Sequence, residues 1–274
     1  FDRTACFAAL LGTEEHGHWR IAPEGVAPER TRRRYRGDTL VLETVMETPE
    51  GGAVALIDFM PPRGANSDVV RIVTGLSGRI AMRMELVLRF DYGRMVPWVT
   101  RLPNEPQGRR AIAGPDMAIL RTPAAVRGAD MRTVAEFTVK AGQSVPFVLS
   151  YGPSHLPPPA PVDPAAALRD TESYWREFSG RCAPAGEWSE AVRRSIITLK
   201  ALTYRPTGGI AAAPTTSLPE VLGGSRNWDY RFCWLRDSAF MLTALTGAGF
   251  LEEAAAWRDW LIRAIAGSPD QVQV

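Results

Sequence analysis

The stretch His155-Leu-Pro-Pro-Pro-Ala-Pro-Val-Asp-Pro164 separates two parts of the chain that follow different periodicities. Closely spaced prolines exclude helix and favour a stiff, extended backbone. At the far end, Asp163 followed by Pro164 is a helix start. A carboxylate can accept the first free amide protons, and proline is tolerated at the first helical position because its missing N–H costs nothing there.

Upstream of this stretch the period is two. Ile80, Met82, Met84, Leu86, Leu88 and Phe90 occupy alternate positions, with Arg83, Glu85 and Arg89 between them. That alternation describes a strand with one buried face. Further strands are expected over Arg30–Tyr35, Thr39–Met46, Ala53–Phe59, Val69–Thr74, Trp98–Arg101, Met117–Arg121, Arg132–Val139 and Val145–Tyr151. Gly37-Asp38 and Pro49-Glu50-Gly51-Gly52 supply turn chemistry between them. Many short strands without helical spacing imply an antiparallel β-sandwich.

Downstream the period changes to 3.6. One helix is expected from Pro164 to Gly180 and a second from about Glu187 to Tyr204. The second carries an apolar stripe of Trp188, Ala191, Val192, Ile196, Leu199 and Leu202. Two more are expected over Leu235–Thr246 and Leu251–Ala266. The predicted organisation is a β-domain over residues 1–155, a linker over 156–162 and a helical domain over 163–274. The third helix is apolar almost all round after Asp237, as suits a helix surrounded by others. Asp270–Val274 come last with no closing element, so the helical domain is expected to be incomplete in this sequence.

Composition narrows the function. The chain has 274 residues, 45% hydrophobic and 23% charged, with a net charge of +2. That supports a globular core and argues against electrostatic capture of nucleic acid or an anionic membrane. No apolar run approaches the roughly 20 residues of a membrane span. Cys6, Cys182 and Cys233 are odd in number and far apart, which points away from a disulfide framework and fits a reducing cytoplasm. The sequence opens at Phe1 rather than Met, so a signal peptide upstream of Phe1 stays compatible with it. His16-Gly-His18 lacks a third ligand at metal spacing and reads as a turn before a strand. Neither a metal nor a cofactor is called for. Arg30–Arg36, with five arginines around Tyr35, reads as a solvated edge strand neutralised by Asp38, Glu43 and Glu47.

The densest chemistry lies in Gly209–Asp237. Its last eleven residues, Asn227-Trp-Asp-Tyr-Arg-Phe-Cys-Trp-Leu-Arg-Asp237, hold four aromatics, two arginines, two aspartates and one asparagine. Aromatic faces match the C–H face of a pyranose, and neighbouring Arg and Asp supply donors and acceptors for buried hydroxyls. An interhelix packing loop with an internal ion pair would use the same residue types.

This segment, preceded by Ala213-Pro-Thr-Thr-Ser-Leu-Pro-Glu220, resembles the glucoamylase/trehalase family of glycoside hydrolases (family 15), in particular its bacterial trehalase-like branch. Ala5–Gly12, Ile57-Asp-Phe-Met-Pro-Pro62, Met82–Leu86 and Arg89-Phe-Asp-Tyr-Gly93 resemble that branch's N-terminal β-sandwich, and the resemblance leads us to expect that the start of that sandwich lies outside this sequence. The resemblance implies a sandwich followed by the first helices of an (α/α)6 barrel, and inverting release of glucose from non-reducing ends. It implies that Arg236 and Asp237 grip outer hydroxyls of the terminal glucose, with Tyr230 and Trp234 around the same sugar. Trp228 and Asp229 either join them or only support the loop. The implied partner is an α-glucoside, trehalose or an α-glucan oligosaccharide. The family's general acid and base are glutamates further downstream, so no catalytic residue is expected before Val274. Glu220, Glu252 and Glu253 do not match those positions. A non-catalytic carbohydrate-binding module is the competing reading.

Overall fold

A computed structural model describes residues 4–265, apart from 26, 65, 183, 185, 215–219 and 222. Two compact units divide at Tyr174/Trp175. The first contains twelve strands: β1 (His18–Pro23), β2 (Arg30–Tyr35), β3 (Leu42–Glu47), β4 (Ala53–Phe59), β5 (Ser67–Ser77), β6 (Arg79–Val87), β7 (Trp98–Leu102), β8 (Glu105–Ala113), β9 (Asp116–Arg121), β10 (Val126–Ala129), β11 (Arg132–Lys140) and β12 (Ser144–Pro153). They form a four-stranded sheet, β1-β6-β11-β10, and an eight-stranded sheet, β2-β3-β4-β5-β12-β9-β8-β7. Neighbouring strands pair antiparallel throughout.

The alternation in β6 does what its pattern demands. Met82, Met84 and Leu86 are buried together with Val54, Val73, Leu120 and Phe147 from the larger sheet. Enclosing a side chain such as Phe147 contributes about 2–3 kcal/mol. The opposite face of the large sheet carries a second cluster, Val41, Ile57, Phe59, Val70, Ile72 and Val148, against which Val162, Ala167 and Leu168 pack. This contact explains why the compact units divide within the first helix rather than at the proline stretch. The start of that helix is held by sheet side chains.

Several strand boundaries depart from the sequence reading. β3 begins at Leu42 rather than Thr39, because the Thr39 hydroxyl donates to the Arg36 carbonyl and accepts from the Val41 amide, closing a turn. β6 ends at Val87, after which Phe90 bridges only to Met95. β1, β8 and β10 were not anticipated. Glu105-Pro-Gln-Gly-Arg-Arg110 has no apolar alternation, yet β8 forms because β7 and β9 supply hydrogen bonds on both sides. β2 is the expected edge strand, exposed at every position. Arg32 pairs with Glu47, while Arg34 and Arg36 converge on Glu43.

The helices are α1 (Pro164–Gly180), α2 (Ser189–Ala201), α3 (Leu235–Gly247) and α4 (Leu251–Ala264). Asp163 accepts the Ala165 and Ala166 amides as the helix-start reading requires. α2 is shorter than expected at both ends. Its buried residues are Ile196 and Ile197, Leu202 is buried just past its end, and Trp188 precedes the helix and is 70% exposed. α3 was expected to be covered all round. Among the described residues, Ser238 and Leu245 are buried and Phe240 is 73% exposed. Phe178 stacks on Phe250 at 4.4 Å, and Lys200 pairs with the buried Glu253 at 2.7 Å, joining α1, α2 and α4. Asp270–Val274 lie outside the described residues.

Candidate functional site

The candidate site is built on the junction between α2 and α3. After α2 the chain folds back on itself, Thr203 bridging Ile210 and Ala211 donating to the Leu202 carbonyl. The next residues then meet the aromatic segment: Ala212 donates to Phe232 O and Ala213 to Tyr230 O. This loop is fixed against α4 by Gly208, whose φ is +86°. A side chain there would place Cβ 2.3 Å from the Ala256 carbonyl, so only glycine fits.

The segment opens into helix at Trp234, whose extended backbone (φ −79°, ψ 119°) is the N-cap of α3. Asp237 therefore sits at the third helical position, where the positive end of the helix dipole favours a carboxylate. Arg236 donates to Asp237 Oδ2 at 3.1 Å, and its guanidinium lies 5.8 Å from the Trp234 ring centre. The Tyr230 ring lies 5.5 Å from the Trp234 ring at 51°. Trp228 approaches Trp234 edge-on at 6.3 Å. Tyr230, Trp234, Arg236 and Asp237 thus form one cluster at one end of α3, with Trp228 at its border.

Exposure separates the roles. The Arg236 side chain is 68% exposed and Asp237 28%, so the pair presents the guanidinium donors not engaged by Asp237 and a carboxylate edge to solvent. Asp229 is used differently. Its carboxylate accepts the Arg231 amide at 3.0 Å and takes the Arg231 guanidinium at 2.7 Å, while its carbonyl accepts Trp234 Nε1 at 3.0 Å. It braces the loop and seats the indole of Trp234. The Arg231 bonds hold its carboxyl below the usual aspartate range.

A carboxylate with a lowered folded-state pKa stabilises the fold fully above its ordinary value, and that contribution disappears as pH falls through the lowered value. On acidification the Trp234 environment, read by near-UV circular dichroism, is therefore expected to relax below the ordinary aspartate range, ahead of global unfolding. Asp229→Asn should show the relaxed signal already at neutral pH. An unchanged signal in that variant would remove Asp229 from the brace.

Some contributing residues were not visible in the sequence. Glu220 accepts Trp228 Nε1 at 3.1 Å and also approaches Arg226. The Asp229-x-Arg231 spacing was the available signal for the brace. Cys233 lies 3.3 Å from Ser238 Oγ, closing the first turn of α3. Part of the Ala213–Glu220 segment, residues 215–219, lies outside the described residues. Both histidines of the His16/His18 turn are occupied by protein partners, His16 with Thr13 and His18 with Glu14 and Glu85. Among the described residues no three His, Cys, Asp or Glu side chains gather as metal ligands, and no helix is long and apolar enough to cross a membrane.

Fold and loop together define a chain with an antiparallel β-sandwich followed by helices that carry an aromatic, Arg and Asp cluster. It belongs to the family described as trehalase-like, N-terminal, whose model matches residues 1–175, and residues 186–274 match glycosyl hydrolases family 15. Among similar curated proteins is a trehalase from Mycolicibacterium smegmatis, 34% identical over 92% of this chain and 41% of its own length. A trehalase from Mycobacterium tuberculosis is 32% identical, over 92% of this chain and 40% of its own. One from Thermoplasma volcanium is 30% identical, over 93% and 41%. The chain spans about two fifths of the length of these relatives.

Proposed function

We propose that this chain is the N-terminal part of an inverting, exo-acting α-glucoside hydrolase, working in the cytoplasm, with trehalose as its substrate. The sandwich leads into the first helices of an (α/α)6 barrel, and the α3 cluster forms one wall of a pocket for the terminal glucose. The observation that carries the reading is the placement of Trp234, Arg236 and Asp237 together at the start of α3, with Tyr230 against the indole. In this reading the Trp234 face covers apolar C–H surface, while Arg236 and Asp237 take neighbouring hydroxyls as donor and acceptor. A chain continuing past the terminal sugar would collide with that grip, which makes the action exo. Trp228 stands at the pocket's border and Asp229 behind it.

Inversion requires an acid that protonates the leaving oxygen and a base that activates water from the opposite face, about 6.5–9.5 Å apart. The glutamates on α4 are poor candidates, since Glu253 is buried on Lys200 and Glu252 is 82% exposed beside Arg181. Both carboxylates are assigned to the polypeptide after Val274. The names of the relatives support trehalose over α-glucans. The test is glucose release by the intact gene product from trehalose, maltotriose and isomaltotriose in parallel. Release from trehalose, with little from the others, is expected. Folded protein silent on all three would move the assignment to a carbohydrate-binding module.

A further inference from the structure

The sandwich is open along the side formed by its edge strands β7 and β10. The opening is a cleft of about 580 Å³ with Leu86, Leu120 and Val126 in its walls. Cross-strand register sets Val99 opposite Ala111 and Arg101 opposite Arg109, and Ala111 belongs to the core between the sheets. Two arginines therefore stand directly across from each other on the inner face. Like charges in that relation are destabilising.

Arg109 is only 8% exposed. Its guanidinium donates to the carbonyls of Pro106, Gly108 and Val126. An arginine has five N–H donors, so these bonds do not exhaust it. Among the described residues neither Arg101 nor Arg109 has a carboxylate within ion-pair distance, although Asp130 also lines the cleft. The neighbouring arginines of the cleft differ, since Arg127 pairs with Glu136 and Arg132 with Glu85 and Glu15. Burial, and then the charge of Arg101, lower the Arg109 pKa from its ordinary value. A buried cation beside a second cation is costly unless an anion completes the site.

We propose that the cleft binds an amphipathic carboxylate, its head between Arg101 and Arg109 and its apolar body along the exposed Val96, Val99 and Met131. Val96 and Met131, 50% and 72% exposed, extend the apolar wall at the mouth. The sandwich alone supports this, independently of the glucoside reading.

The test is calorimetric titration of the 274-residue chain with decanoate, decyltrimethylammonium and inorganic phosphate. Decanoate is expected to saturate one site and to weaken with added salt. The cation with the same tail should not bind, and phosphate should bind far more weakly. Arg101→Gln, at an exposed position, should weaken decanoate about tenfold or more, as expected for a hydrogen bond to a charged group. Gly128→Phe leaves every charge in place and fills the cleft. Its Cβ would meet only the Arg132 carbonyl, at 4.0 Å, so the strand tolerates it, and decanoate binding should be lost. Absent saturation with folded protein, equal binding of the cation, or phosphate binding as tightly as decanoate (an adventitious ion only) would each overturn the proposal. Undiminished binding in both variants would do the same.

Discussion

Replacing Asp237 by alanine in the intact gene product is expected to lower kcat/KM for glucose release by about 100-fold, some 3 kcal/mol of transition-state binding. The magnitude comes from removing a charged acceptor from a sugar hydroxyl that has no other partner once water is excluded. The proposed role needs a largely sheltered, held carboxylate, and Asp237 is 28% exposed and paired with Arg236. Asp237 also stands in the first turn of α3, so its loss should cost the helix about 0.5–1 kcal/mol of stability through the dipole. The two effects separate experimentally. A purely structural role lowers the melting temperature and leaves kinetics near normal once the protein is folded. A sugar-gripping role lowers kcat/KM in protein that is still folded at assay temperature. Asp237→Asn, which keeps the shape and the acceptor oxygen but loses the charge, should fall between wild type and alanine. Near-normal kinetics in Asp237→Ala would remove this residue from the site.

How much of this was readable in the sequence depended on whether the local pattern and the tertiary environment agreed. In β6 they did, since alternate apolar residues face the other sheet and the polar ones face outward. The same was true of Asp163-Pro164, where the cap is a local device that needs no distant partner. β8 was hidden because its side chains carry no alternation; its existence depends on hydrogen bonds from two neighbours far along the chain. Trp188 was misplaced in the α2 stripe because periodicity continues past a helix end, whereas the helix itself starts only at Ser189. At the site, residue types marked Asn227–Asp237 as dense in aromatics, arginine and aspartate, and the family resemblance singled out Tyr230, Trp234, Arg236 and Asp237 within it. The same resemblance left open whether Asp229 joins them or only supports the loop. Only the geometry shows its carboxylate engaged by Arg231 and its carbonyl by Trp234. Arg109 was equally unreadable, because an arginine facing the core between two sheets contradicts the expectation that charge lies outside.

The 274-residue chain by itself is expected to release no measurable glucose from trehalose, even where it retains affinity for the sugar. The reason is chemical. Inversion needs an acid and a base in the same site, and binding residues alone give neither proton transfer. The carboxylates nearest in sequence to the cluster already have partners: Asp229 has Arg231, Asp237 has Arg236, Glu220 the Trp228 indole, Glu252 Arg181 and Glu253 Lys200. Each is held by a cation or a donor, as suits an orienting or structural group. Side-by-side assays of this chain and the intact gene product, at matched concentration and with folding checked by circular dichroism, decide the point. Turnover by the chain alone that Asp237→Ala abolishes would place the chemistry inside residues 1–274. It would then require one of those paired carboxylates to leave its partner when substrate binds. Turnover by the intact protein only would assign the acid and base to the polypeptide beyond Val274 and leave the α3 cluster with the work of holding the glucose.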